Sequence, residues 1–271
     1  MSRSPDADGQ NRRTLLVGLA HPDDELAAAG TILAQRSQGD RVVIVWLTRG
    51  EQTEAFGPIP IDEVARRREV QGHRAGEILG AETIFMDFRD TELQADRPTA
   101  LEVARLICDL SPDGLITWGE GWVRGTRHPD HQACGEIFRN AITLARIAKL
   151  TAPHPPHRKA VPVFTLRDIH SQLPTVGVDV TAHREKIAGW QNTTCRGSDT
   201  ATRPGSSSDC SKSGRDTVFD TRRSSTRGRP SPARWIGCCR LHRSTACPIR
   251  TGVRSICGRS ERDETRRSTL A

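Results

Sequence analysis

The chain has 271 residues, enough for one large α/β domain or two small ones with an ample core. Its formal net charge of +7 comes from one end: residues 193–271 carry 17 basic against 7 acidic side chains, whereas residues 1–192 carry 23 against 26. No run approaches the roughly 20 apolar residues of a membrane span, and residues 1–13 lack the apolar stretch of a signal peptide, so the expectation is a cytoplasmic protein with no membrane partner.

Residues 1–13 are polar, without apolar period, and read as a disordered leader. From Thr14 strands and helices alternate. A strand over residues 14–20 leads to a helix over 24–38, stopped by Gly39. The run Val42-Val43-Ile44-Val45-Trp46-Leu47 is a strand buried on both faces. A loop over 48–60 precedes a helix over 61–79 ended by Gly80, then a strand over 83–88. A helix over 98–110 stops before Pro112, and a strand over 114–118 runs into a glycine-rich loop over 119–127. A long helix over 131–149, strands over 161–167 and 176–180, and a short helix over 182–190 complete the pattern. Such alternation predicts an α/β fold with a mostly parallel sheet flanked by helices. Cys108 and Cys134 fall in helical patterns and read as buried, reduced thiols.

Past residue 192 no apolar period of 2 or 3.6 persists, and the stretch 193–271 is an irregular tail rich in Arg, Ser and Cys, expected to be disordered. It holds six of the eight cysteines without a C-x-x-C pair, which argues against a metal module. It has no nucleic-acid module and only Phe219 and Trp235 as aromatic rings, so a nucleic-acid partner is not expected. The whole chain has only four lysines, and such Arg-rich usage is what a G+C-rich gene read in a shifted frame would give. The boundaries expected are thus 1–13, 14–192 and 193–271.

Two motifs carry the chemistry. Ala20-His21-Pro22-Asp23-Asp24-Glu25 sits where the first strand meets its helix, and His128-Pro129-Asp130-His131 follows the fourth strand. In open α/β sheets, ligand sites collect at the carboxyl ends of strands. Each motif alone also suits a helix N-cap with first-turn acids; together they predict a divalent metal site. Catalytic zinc takes three protein ligands from His, Asp and Glu plus a water. His21 and Asp24, three apart across a turn, and His131 from the opposite loop supply them. Asp23, fixed beside a ligand, is the candidate base for the metal-activated water. His128 is the candidate for stabilising the oxyanion and protonating the leaving nitrogen, with Asp130 set to orient its ring. Glu25 is left as a first-turn helix acid. Two His and one Asp also suit ferrous iron.

This pair of motifs resembles the LmbE-like, PIG-L superfamily of zinc-dependent N-acetylglucosaminyl deacetylases, over residues 13–191. Leu47-Thr48-Arg49-Gly50-Glu51, Arg68 ahead of Gly80, Phe88-Arg89-Asp90 and Val178-Asp179-Val180-Thr181 extend the likeness. The resemblance implies a Rossmann-like fold, zinc on His21, Asp24 and His131, the same roles for Asp23, His128 and Asp130, and substrate contacts from Glu51, Arg68 and Asp90. The activity it implies is hydrolysis of the acetamide of a small N-acetylated amino-sugar conjugate, the metal-held hydroxide attacking the carbonyl. The competing readings are an amidase acting on a thiol conjugate of such a sugar, and a non-catalytic zinc- or sugar-binding remnant with an altered C-terminus. Oligomeric state is not encoded in these features.

Overall fold

The structure, a computed structural model, describes residues 12–119, 128–166 and 173–188 together with a strand at 218–221. Expectations for residues 1–11, most of the 119–127 loop and most of the tail lie outside the described residues. Five parallel strands form the body of one sheet: β1 (Thr14–Leu19), β2 (Arg41–Trp46), β3 (Glu82–Phe85), β4 (Gly114–Thr117) and β5 (Val163–Leu166), in the order β3-β2-β1-β4-β5. Beyond β5 the sheet continues with β7 (Val218–Thr221) and then β6 (Thr175–Gly177), β7 running antiparallel to both neighbours. β7 lies in the stretch for which the sequence predicts no element; four residues carry too little period to stand out.

Every residue of β1 is buried, because helices cover both faces of the sheet. Leu15, Val17 and Leu19 pack with Ile32 and Leu33 of α1 (Ala29–Ser37) and Ala75 and Leu79 of α2 (Ile61–Leu79). Leu16 and Ala20 face the other way, onto Val103 and Ile107 of α3 (Arg97–Leu110) and Ile137 and Phe138 of α4 (Pro129–Leu144). The helix stops follow the sequence: Gly80 takes φ 69°, and the Asp96 side chain accepts the Thr99 N–H at 2.9 Å to cap α3. Two helices depart from expectation. Residues Asp24–Ala27 form a 3₁₀ turn, so α1 starts at Ala29, and the helix expected to reach 149 breaks into α4 and α5 (Ala148–Thr151). Arg13, expected in the leader, already pairs with Asp40, Nη2 to Oδ2 at 2.8 Å. Cys108 and Cys134 are free and buried, as read.

The strand order makes β1 and β4 the switch point, from which the chain winds to opposite sides; ligands of open α/β sheets bind in the crevice there. Gly18 sets how closely α4 approaches this point. A Cβ at Gly18 would lie 2.4–2.6 Å from three atoms of the fully buried Phe138 ring. Gly18→Ala is therefore expected to cost about 1–3 kcal/mol by overpacking, and the urea midpoint measures it; an unshifted midpoint would show that α4 can retreat freely.

Candidate metal centre

β1 ends at Leu19, and the chain then turns sharply through His21 and Pro22. Asp23 sits at φ 104°, a left-handed conformation that L-residues adopt at a cost. That kink turns successive carboxylates in different directions. Asp24 faces inward and is buried; the Asp23 side chain is 59% exposed on the cleft side. The second motif is placed by α4. His128 is its N-cap, the ring Nδ1 accepting the Asp130 N–H at 3.3 Å, and Pro129 opens its first turn. The capping reading holds for this second motif alone, because Asp23, at the N-cap of the turn Asp24–Ala27, makes no side-chain cap hydrogen bond.

His21, Asp24 and His131 come together with ligand atoms all within 4.8 Å of one another, as do His21, His128 and Asp130. His131 Nε2 lies 3.1 Å from Asp24 Oδ1, and His21 Nδ1 lies 3.8 Å from Asp24 Oδ2. Asp24 Oδ2 accepts the backbone N–H of Ala20 at 3.1 Å and of His21 at 3.0 Å. Burial works against the Asp24 charge, but His131, His21 and these bonds outweigh it and hold its carboxyl below the usual range.

The far side of His21 faces two carboxylates, Asp90 Oδ1 at 3.0 Å and Asp130 Oδ2 at 3.3 Å from Nε2. A metal-ligating histidine characteristically donates its other N–H to a carboxylate, which fixes tautomer and ring plane. The residues present therefore fit a divalent ion of the zinc class: two imidazoles, one carboxylate, and an outer ring that orients them. Burial would lower the His21 pKa, yet Asp130, Asp90 and Asp24 reverse this and push it up to about 9. Asp90 is held down at about 2 against its burial, by His21 and the Gln52 N–H.

The remaining residues divide differently from the sequence expectation. Asp130, expected to orient the His128 ring, instead directs its carboxylate at His21 and accepts the Thr91 N–H at 2.7 Å; only its backbone N–H meets the His128 ring. Asp90, expected at the substrate, places Oδ1 3.0 Å from His21 Nε2, while Glu51 Oε1 accepts the Asp90 N–H at 2.8 Å. Arg68 donates from Nη1 and Nη2 to Asp23 Oδ2 at 3.1 and 3.0 Å. Among the described residues, Glu51 Oε2, Arg68 Nε and Asp130 Oδ1 are buried without a hydrogen-bond partner. Partial desolvation in the cleft raises the Asp23 carboxyl above its ordinary value, Arg68 opposing and Asp24 adding. His128 is lowered, first by desolvation and then by His21.

Glu25 lies in the first turn, as read, and is buried there. It is 2% exposed, and its Oε2 accepts the Asp23 N–H at 2.8 Å and the Trp46 indole N–H at 3.2 Å. It props the strained Asp23 backbone from below. Burial pushes Glu25 from 4.5 up to about 7, hydrogen bonds from its own backbone N–H and that of Asp23 only partly offsetting it. Between those values the folded state binds more protons than the unfolded, so stability falls as pH rises across that window. In the metal-free chain, wild type is expected to lose stability relative to Glu25→Gln between pH 4.5 and about 7, read from urea midpoints. Parallel profiles would refute the role of burial here.

Trp118 is the functional neighbour that sequence reasoning missed. Its indole Nε1 donates to Asp24 Oδ2 at 3.2 Å, and its ring stacks on His131, centroids 3.9 Å apart and planes 8° from parallel. The only sequence signal was an aromatic residue at the carboxyl end of β4, which reads equally well as core.

Residues 16–142 match the family described as PIG-L: GlcNAc-PI de-N-acetylase. Those residues are a PIG-L family domain. Residues 21–131, which hold all nine expected site residues, fall inside it. A diacetylchitobiose deacetylase of Thermococcus kodakarensis is 34% identical over 127 residues, 46% of this chain and 47% of that protein. A 1D-myo-inositol 2-acetamido-2-deoxy-alpha-D-glucopyranoside deacetylase of Tsukamurella paurometabola is 29% identical over 175 residues, 51% of this chain and 58% of that one. The chain spans about half the length of the curated relatives it matches. The N,N'-diacetylchitobiose deacetylase of Pyrococcus horikoshii superposes with a TM-score of 0.62 at 20% identity, covering 70% of this chain and 72% of that chain, a likeness of fold. Among the described residues no helix is long and apolar enough to cross a membrane.

Proposed function

We propose that the chain hydrolyses the acetamide of an N-acetylglucosamine-type sugar conjugate, releasing acetate and a free amine, with zinc held by His21, Asp24 and His131. The observation that carries this is the pairing of a preorganised two-His, one-Asp set with a separate carboxylate, Asp23, on the open side of the same turn. By their names, one relative deacetylates diacetylchitobiose and the other a 2-acetamido-2-deoxy-glucopyranoside of inositol, which supports the substrate class.

Bound there, zinc would lower the pKa of a water and polarise the amide carbonyl. Asp23 takes the proton from the attacking water; its raised pKa makes it a stronger base than an ordinary carboxylate, and Arg68 keeps it from swinging away. His128 accepts a hydrogen bond at Nδ1, so its ring proton resides on Nε2, ready to donate to the developing oxyanion and assist departure of the amine. Asp90 and Asp130 hold His21 in place. Glu51 and Arg68 offer their unpartnered buried atoms to sugar hydroxyls.

The test is anaerobic metal analysis of the full chain alongside an assay of released amine on N,N'-diacetylchitobiose and an N-acetylglucosaminyl inositol. One zinc per chain with amine released is the expected result. Iron in its place with amine released corrects the metal alone. Zinc without amine from either substrate favours the non-catalytic reading.

A further inference from the structure

Trp118 touches both halves of the metal site, and three residues of α4 hold it there. His131, Gly135 and Arg139 recur every four positions and form one stripe along the helix. His131 stacks face to face on the indole. Gly135 supplies clearance: a Cβ there would lie 2.3 Å from the Trp118 carbonyl oxygen. Arg139 Nη1 donates to that same oxygen at 3.2 Å. From this seat the indole N–H crosses to Asp24 Oδ2 on the β1 side.

The effect on Asp24 is specific. Its Oδ2 receives three N–H groups, from Ala20, His21 and Trp118, while Oδ1 is the oxygen beside His131 Nε2. A carboxylate oxygen engaged by three donors has little lone-pair density left for an ion, and its partner oxygen is turned to the ligand histidine.

Resting on the metal reading above, we propose that Trp118 is a positioning residue for the metal: its N–H commits Asp24 to ligation through Oδ1 alone, and its ring fixes the plane of His131. It acts through the two ligands and contacts no reacting atom.

The experiment compares wild type, Trp118→Phe, which keeps an aromatic face and loses the N–H, and a chain with benzothienyl-alanine at 118, which keeps the shape of the indole and replaces N–H by sulfur. Zinc dissociation constants are read by competition with a chromophoric chelator, the visible spectrum of the cobalt(II)-loaded chain reports ligand geometry, and thermal unfolding is followed without metal. Zinc affinity is expected to fall about 10–100-fold in both variants, the range for loss of an outer hydrogen bond to a ligand, with altered cobalt bands and an unchanged metal-free unfolding midpoint for the benzothienyl chain. Should Trp118→Phe fail to fold, the benzothienyl chain decides alone. Unchanged affinity and spectrum in it overturn the proposal, as does weaker binding with an unaltered cobalt spectrum and a lowered metal-free midpoint. A wild-type chain that takes up neither ion overturns the metal reading itself, and this one with it.

Discussion

Asp23→Asn is expected to lower turnover by about 10²–10⁴-fold, the range a positioned general base contributes, while zinc stays bound at full stoichiometry. Asn is nearly the same size and its amide oxygen can still accept from Arg68, which lies 3.0 Å from Asp23 Oδ2. The left-handed backbone at φ 104° is also one that Asn tolerates better than most residues. The change thus removes proton acceptance and little else. Released amine per bound zinc is the measurement. Activity within a few-fold of wild type would remove Asp23 from the mechanism and pass the proton to another group.

The same chemical change one position on is expected to do the reverse. Asp24→Asn should empty the site, with zinc affinity reduced beyond the ~100-fold that loss of an outer-shell partner reaches, and activity lost as a consequence. The amide oxygen can still accept from the Ala20 and His21 N–H groups and the Trp118 indole, so the turn is retained. What is lost is the anionic oxygen facing His131, replaced by an NH₂ that cannot ligate. Zinc retained in Asp24→Asn would mean that the ion sits on other residues, the set His21, His128 and Asp130 first among them. The two variants differ by one residue number and separate proton transfer from metal binding.

Most of the fold was legible because strands buried on both faces write continuous apolar runs, as Val42–Leu47 does, and because helices ended at Gly39, Gly80 and before Pro112. The proposed ligands His21, Asp24 and His131 were brought together as read because each lies within a few residues of a strand end or helix start, where local sequence dictates position. The outer ring was not. Asp90 reaches His21 across 69 positions of chain, and Glu51 holds Asp90 from a third strand end; such contacts depend on how neighbouring loops lean together, which no local period encodes. The place of Glu25 in the first turn was legible, but its burial was not, because the left-handed backbone at Asp23 and the contact with Trp46 leave no local period. Trp118 carried no signal beyond its type.

The two halves of the metal centre are 109 positions apart along the chain at their His21–Asp130 contact. An ion shared between them is a staple across the loop that contains β2, β3 and β4. In chain-entropy terms, a disulfide closing a loop of about 100 residues stabilises by about 4.7 kcal/mol, and a tightly held ion restricts the unfolded chain in a similar way. On the proposed ligand set, seating α4 against β1 and capturing the metal would be one cooperative event. Stripping the ion would loosen that seam first, so protease sensitivity around residues 128–138 becomes a gauge of metal content.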